Sequence, residues 1–206
     1  SVMGKETLEK IAEVAKKHNL LVISDEVYNT LLYGDEPYVS IASLPGMKER
    51  TVVVNSFSKS FAMTGWRIGY TAAPAHIVDR MTKCQENFNA CANAPGQYAA
   101  AVALDHQDLC DELRDVFARR REILLQGLSE IEGIRCNHPT GAFYAFPDIS
   151  SFGLSSTEFC NRLLDEVGVV CIPGSAFGAC GEGFIRICYT CGEEDLREAL
   201  ARIRRF

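Results

Sequence analysis

Asn55-Ser56-Phe57-Ser58-Lys59-Ser60-Phe61-Ala62-Met63-Thr64-Gly65-Trp66-Arg67-Ile68-Gly69-Tyr70 is the stretch on which the fold turns. It follows Thr51-Val52-Val53-Val54, a β-branched run that reads as a buried strand. Hydroxyls, one lysine and one arginine gather just past that strand, at the edge where open α/β sheets hold ligands. Arg67, Ser56 and Ser58 suit a phosphate, because a guanidinium fork and O–H donors match its oxygens. Lys59 lies between Phe57 and Phe61, and a lysine shielded from water loses proton affinity and becomes a usable nucleophile.

An amine beside a phosphate cradle points to pyridoxal 5′-phosphate (PLP), whose aldehyde condenses with lysine. Ser-x-Ser-Lys with an arginine eight residues on, in the run Ser-Lys-x-x-x-x-x-Gly-x-Arg-x-Gly, resembles the lysine motif of class I/II aminotransferases. A second signature lies upstream. Leu20-Leu21-Val22-Ile23-Ser24 reads as a short strand covered on both faces, and Asp25-Glu26-Val27-Tyr28 follows it. A carboxylate at a strand end can keep a pyridinium protonated, and Tyr28 could donate to the ring oxygen. Alone, such an acid is more often a helix cap or a solvated charge. Ser-Asp-Glu-x-Tyr ahead of the lysine segment resembles the same family, and the pair of motifs is far more specific than either one.

The resemblance implies a PLP enzyme of fold type I, α/β in class. This chain would carry the carboxyl-terminal part of the three-layer αβα large domain (residues 1–106) and a small α+β domain entered through a bridging helix (107–206). It also implies transfer of an amino group between an L-amino acid and a 2-oxo acid, in a cytoplasmic homodimer. Lys59 would be catalytic and would hold PLP together with Asp25, Tyr28, Ser56, Ser58 and Arg67. Arg186, the one charge in the apolar strand Phe184-Ile185-Arg186-Ile187-Cys188-Tyr189, must meet a carboxylate. That partner is either a structural acid of the small domain or, as Phe-x-Arg in the family implies, the substrate. A carbon–sulfur lyase would use the same residues, although such lyases often carry histidine at the Tyr28 position. A non-catalytic module for dimerisation or effector sensing is the other alternative.

The family also has an Asn-Pro-x-Gly segment, a glycine-containing phosphate loop and a ring-stacking aromatic upstream of the helix at 5–18. None is found here. The expectation is therefore a fragment with exposed strand edges and apolar surface, prone to self-association and weak in cofactor binding.

The remaining segments read simply. Leu8, Ile11, Ala12 and Ala15 give the helix near 5–18 one apolar face, with His18 a solvated helix end. Residues 29–50 carry turn signals at 33–37 and 44–46 and read as a surface loop, with or without a short helix. Residues 67–73 form a strand that the family runs antiparallel. Helices follow at 75–90, 97–104 and 108–131, with Asn93-Ala94-Pro95-Gly96 as a break and Arg119-Arg120-Arg121 as a solvated face. Strands at 143–146, 169–172 and 184–189 alternate with helices at 156–167 and 193–203.

Composition bounds the rest. The 206 residues are 47% hydrophobic and 23% charged, a soluble globular balance, and the net charge of −6 argues against a nucleic-acid surface. No apolar run approaches the roughly 20 residues that span a bilayer. Nine scattered cysteines fit reduced thiols. Cys188-Tyr189-Thr190-Cys191 has no second pair to complete a metal site; the plainer alternative is two small residues along a strand and its exit.

Overall fold

In a computed structural model, which describes residues 2–34 and 37–206, Leu8, Ala12 and Ala15 line the buried side of a first helix, α1 (Lys5–Lys17). They pack on Ile41, Leu44 and Met47 from the segment read as a loop. That segment holds two single-turn 3₁₀ helices, Ile41–Ser43 and Lys48–Arg50. The turn read at 33–37 includes Asp35 and Glu36, which lie outside the described residues. Gly4 stands at the N-cap of α1 and His18 at its C-cap.

Two compact units divide the chain, Ser1–Arg114 and Asp115–Phe206. The first is built on a three-stranded sheet of β1 (Val22–Asp25), β2 (Thr51–Ser56) and β3 (Gly69–Ala72). β1 and β2 run parallel, with Asp25 opposite Val54. β3 runs antiparallel to β2, with Gly69 opposite Ser56. The lysine stretch therefore links the carboxyl end of β2 to the amino end of β3, and both lie beside the carboxyl end of β1. The helices are α2 (Phe57–Ser60), α3 (Ala75–Phe88) and α4 (Ala94–Ala103). Pro95, read as a helix breaker, is instead in the first turn of α4, where its missing N–H costs nothing.

β1 departs from its prediction in register and in burial. It begins at Val22, and Leu20 and Leu21 stand exposed before it. Ile23 is 72% exposed, so one face of the strand is uncovered. Among the described residues β1 pairs on one side only, and Ile11, Val14, Leu20 and Leu21 line an apolar groove of about 350 Å³ beside it.

The second unit begins within α5 (Asp108–Ser129) and has its own sheet, in the order β4 (Tyr144–Ala145), β6 (Ile185–Cys188), β5 (Ile172–Pro173), all antiparallel. Leu124, Leu128, Phe159, Leu163, Ile185 and Tyr189 are its innermost side chains. Helix α6 (Ser156–Val167) opens on Ser155, whose hydroxyl accepts from the Glu158 N–H, and ends on Gly168 at φ +69°. Helix α7 (Glu193–Ile203) closes the chain, with three acids in its first turn. The arginine run on α5 is less solvated than its charge implies. Arg119 approaches Glu193 at 3.8 Å, but Arg120 and Arg121 are half-buried and donate to the Thr190 and Pro139 carbonyls at 2.9 and 3.0 Å. All nine cysteines are free thiols, and burial raises the pKa of Cys171 to about 12. No helix among the described residues is long and apolar enough to cross a membrane.

The open β1 edge and its apolar flank should drive association when this chain is expressed alone. Sedimentation should show dimers or larger species at micromolar concentration, and Ile23→Lys should shift them toward monomer. A monodisperse monomer without that substitution contradicts the expectation.

Candidate functional site

The lysine stretch is closed on itself by one backbone carbonyl. Ile68 O accepts from the Phe57 N–H at 3.2 Å and from the Ser56 hydroxyl at 3.1 Å. Ser56 also accepts from the Ser58 N–H at 3.1 Å, which makes it the N-cap of α2. Both bonds fall at the β2–β3 junction, where a side chain on Gly69 would bring its Cβ within 2.7 Å of the Asn55 carbonyl. Below the loop, Phe57, Met63 and Ile68 pack on Ala100 of α4. Asn93 fastens the far side: its Nδ2 donates to Trp66 O at 2.9 Å, while its Oδ1 caps α4 by accepting from Gly96 N at 2.7 Å.

The turn after β1 is tied to the same place. Glu26 N–H donates to Val54 O at 2.8 Å, and the Thr30 hydroxyl donates to Ser60 Oγ at 3.1 Å. The Asp25–Tyr28 turn is thus tied to β2, and Thr30 just after it to α2, which carries Lys59. Glu26 is buried and accepts from the Ser24 and Ser40 hydroxyls at 3.1 and 2.6 Å. Desolvation, then the Glu26 charge beside it, holds the Tyr38 phenol proton well above its ordinary range.

Each residue singled out in the sequence therefore has a definite place. Asp25 ends β1, exposed; its Oδ1 accepts from Val27 N–H at 3.2 Å, and its second oxygen is unengaged among the described residues. Tyr28 and Lys59 are half-buried. The Ser58 hydroxyl is likewise unengaged among the described residues, whereas Ser56 gives its only proton to Ile68. Arg67 is exposed in the left-handed region, φ 56° and ψ 47°, rather than within the strand read at 67–73. Its Nη1 donates to Thr64 O at 3.0 Å, and its other guanidinium nitrogens are unengaged among the described residues. A non-glycine residue held there costs about 1 kcal/mol or more, and such strain gathers at functional sites. Arg186 belongs to the second unit. The alternation along β6 buries Ile185 and Ile187 and turns Arg186 to the opposite face.

Residues 1–203 match the sequence profile described as aminotransferase class I and II. The chain belongs to that family. It is 47% identical over 208 residues to an aspartate aminotransferase of Pyrococcus abyssi and 45% identical over 208 residues to aromatic-amino-acid aminotransferase 2 of Thermococcus litoralis. Each match takes in 100% of this chain and 53% of the relative, so the chain spans about half the length of these curated relatives. The crystal structure of an aromatic aminotransferase from Pyrococcus horikoshii superposes with a TM-score of 0.96 at 47% identity, covering 100% of this chain and 56% of that one. The mixed α/β architecture is accordingly that of a portion of a fold type I aminotransferase.

The side chains suit the PLP that such aminotransferases use. One carboxylate oxygen, one hydroxyl and part of a guanidinium are unspent beside a lysine, on three segments that meet at one sheet end. Sequence reasoning missed Thr30, Ser60, Asn93 and Glu26, which touch no ligand in this account but fasten the segments that carry the site. Only Asn93 left a signal, as an N-cap residue two before a proline.

Removing the Ser56 hydroxyl takes away both the cap and one of the bonds to Ile68. Ser56→Ala should cost about 1–2 kcal/mol in chemical denaturation. Gly69→Ala should cost more, because its clash is with immovable backbone; equal stability of either variant to the parent would contradict the loop-closing role.

Proposed function

We propose that the whole protein is a PLP-dependent aminotransferase that moves an amino group between an L-amino acid and a 2-oxo acid. The observation that carries this is the tying of the Asp25–Tyr28 turn to β2, and of Thr30 and the Arg67 end of the loop to the short helix bearing Lys59. Bound PLP supplies an electron sink for breaking a bond at the substrate Cα. In this proposal the Lys59 amine would hold the cofactor aldehyde and, when free, would take the proton from the substrate Cα as base and give it to the cofactor carbon as acid. Asp25 keeps the ring nitrogen protonated, and the Tyr28 hydroxyl donates to the ring oxygen. Ser58 and Arg67 hold the phosphate through groups that are unengaged among the described residues, and Ser56 is the third residue of that cradle. Arg186 grips the substrate carboxylate.

The same proposal places the functional division at 106/107, just ahead of α5, and takes the enzyme as a homodimer. A cytoplasmic location fits the nine free thiols. Tyr28 favours transfer over β-elimination.

In the whole protein supplied with PLP, Lys59→Ala should abolish transamination. Arg67→Ala should weaken PLP binding by about 2–3 kcal/mol, the worth of hydrogen bonds to a charged group. Retained transamination in the lysine variant would refute the assignment, as would cystathionine cleavage with no amino transfer in the unsubstituted protein.

A further inference from the structure

Arg186 has no acidic partner within the second unit. Among the described residues no carboxylate lies within ion-pair distance of it, and no oxygen accepts a hydrogen bond from it. The structural acid, one of the two partners the sequence left open for Arg186, is therefore not found there. Its guanidinium carbon lies instead 4.7 Å from the centre of the Tyr144 ring and 4.4 Å from that of Phe177. An aromatic face attracts the cation without neutralising it, and leaves the N–H donors unspent. A carboxylate neighbour would do the opposite on both counts.

The two rings are themselves braced. Tyr144 sits on β4 opposite Cys188, diagonal to Arg186 across the ladder, and packs on Phe143 with ring centres 4.8 Å apart. Phe143 in turn meets Phe117 of α5 at 5.2 Å. Phe177 ends the 3₁₀ turn that follows β5 and meets Phe146 edge-on at 6.0 Å. That turn is tethered at its start, where the Gly174 N–H donates to the Phe184 carbonyl at 2.8 Å. Phe177 is nevertheless 51% exposed, so its packing inside the unit does not account for it.

We propose that Tyr144 and Phe177 are positioning residues that aim Arg186, holding its guanidinium by ring contact so that its full charge and its donors are kept for a substrate α-carboxylate. The proposal rests on the aminotransferase reading above and deepens its substrate end. It makes the grip depend on two neutral rings that need make no contact with the substrate.

The test is kinetic and uses the whole protein with PLP. Phe177→Leu and Tyr144→Leu should each raise KM for the amino acid about tenfold, with kcat falling less than about threefold, since a binding contact is misaimed and the chemistry is not. Affinity for a primary amine of the same side chain but lacking the α-carboxylate should stay at the parental value. Phe177→Tyr and Tyr144→Phe, which keep the rings, should restore the amino-acid KM. Parental KM in both leucine variants, or equal loss of amino acid and amine, overturns the positioning role. Arg186→Ala separates the two levels: if it loses amino-acid binding while the leucine variants do not, the aiming role alone fails. If it loses nothing, the carboxylate grip fails and the aiming role with it. Phe177→Leu alters a half-exposed side chain, so its result stands even where Tyr144→Leu does not fold.

Discussion

The Ile68 carbonyl is the point on which the first unit depends. It takes one hydrogen bond from the Phe57 backbone and one from the Ser56 side chain. Those two bonds convert a ten-residue excursion into a closed loop with Lys59 on one limb and Arg67 at the other. Without them the end of β2 and the start of β3 would share only their ladder, and the lysine helix would have no fixed entry angle. The compact Gly69 backbone at the junction is part of the same constraint, since no side chain fits against Asn55 there. Strain follows from the closure: Arg67 is held left-handed, in a conformation its side chain does not favour.

The second unit solves a different problem. A strand that alternates buried isoleucines with an arginine must place that cation on a surface it can tolerate. Cation–π contact tolerates it without spending its hydrogen bonds, whereas an internal ion pair would have consumed them. Among the described residues, the two units thus each carry groups whose hydrogen-bonding capacity is wholly or partly unspent: Asp25, Ser58 and Arg67 in one, Arg186 in the other. That shared property, more than any single motif, links the architecture to amino-acid chemistry.

Much of this was legible before any coordinates. The spacing of Leu8, Ala12 and Ala15 marks α1, and the helix read at 156–167 is α6, because helical periodicity is local. The lysine stretch and the Asp25–Tyr28 turn were legible as motifs, whereas their adjacency comes from the parallel pairing of β1 with β2. Three things were not legible. Leu20 and Leu21 look like strand residues, yet they are exposed and lie before β1, since apolar character alone does not tell which faces are covered. The ties through Thr30, Asn93 and the Ile68 carbonyl span 12 to 30 residues, and a backbone carbonyl carries no side-chain signature at all. The aromatic contacts on Arg186 were also hidden: the strand demanded a partner for the charge, and a carboxylate was the obvious choice.

The central claim is that the Lys59 amine is the group that takes the PLP aldehyde. Borohydride reduction of the whole protein with PLP, followed by peptide mass mapping, tests it directly. The account requires a single pyridoxyl-phosphate mass increment on the peptide containing Lys59, lost when that lysine is replaced. An increment on another lysine, or none under conditions where transamination proceeds, would contradict it.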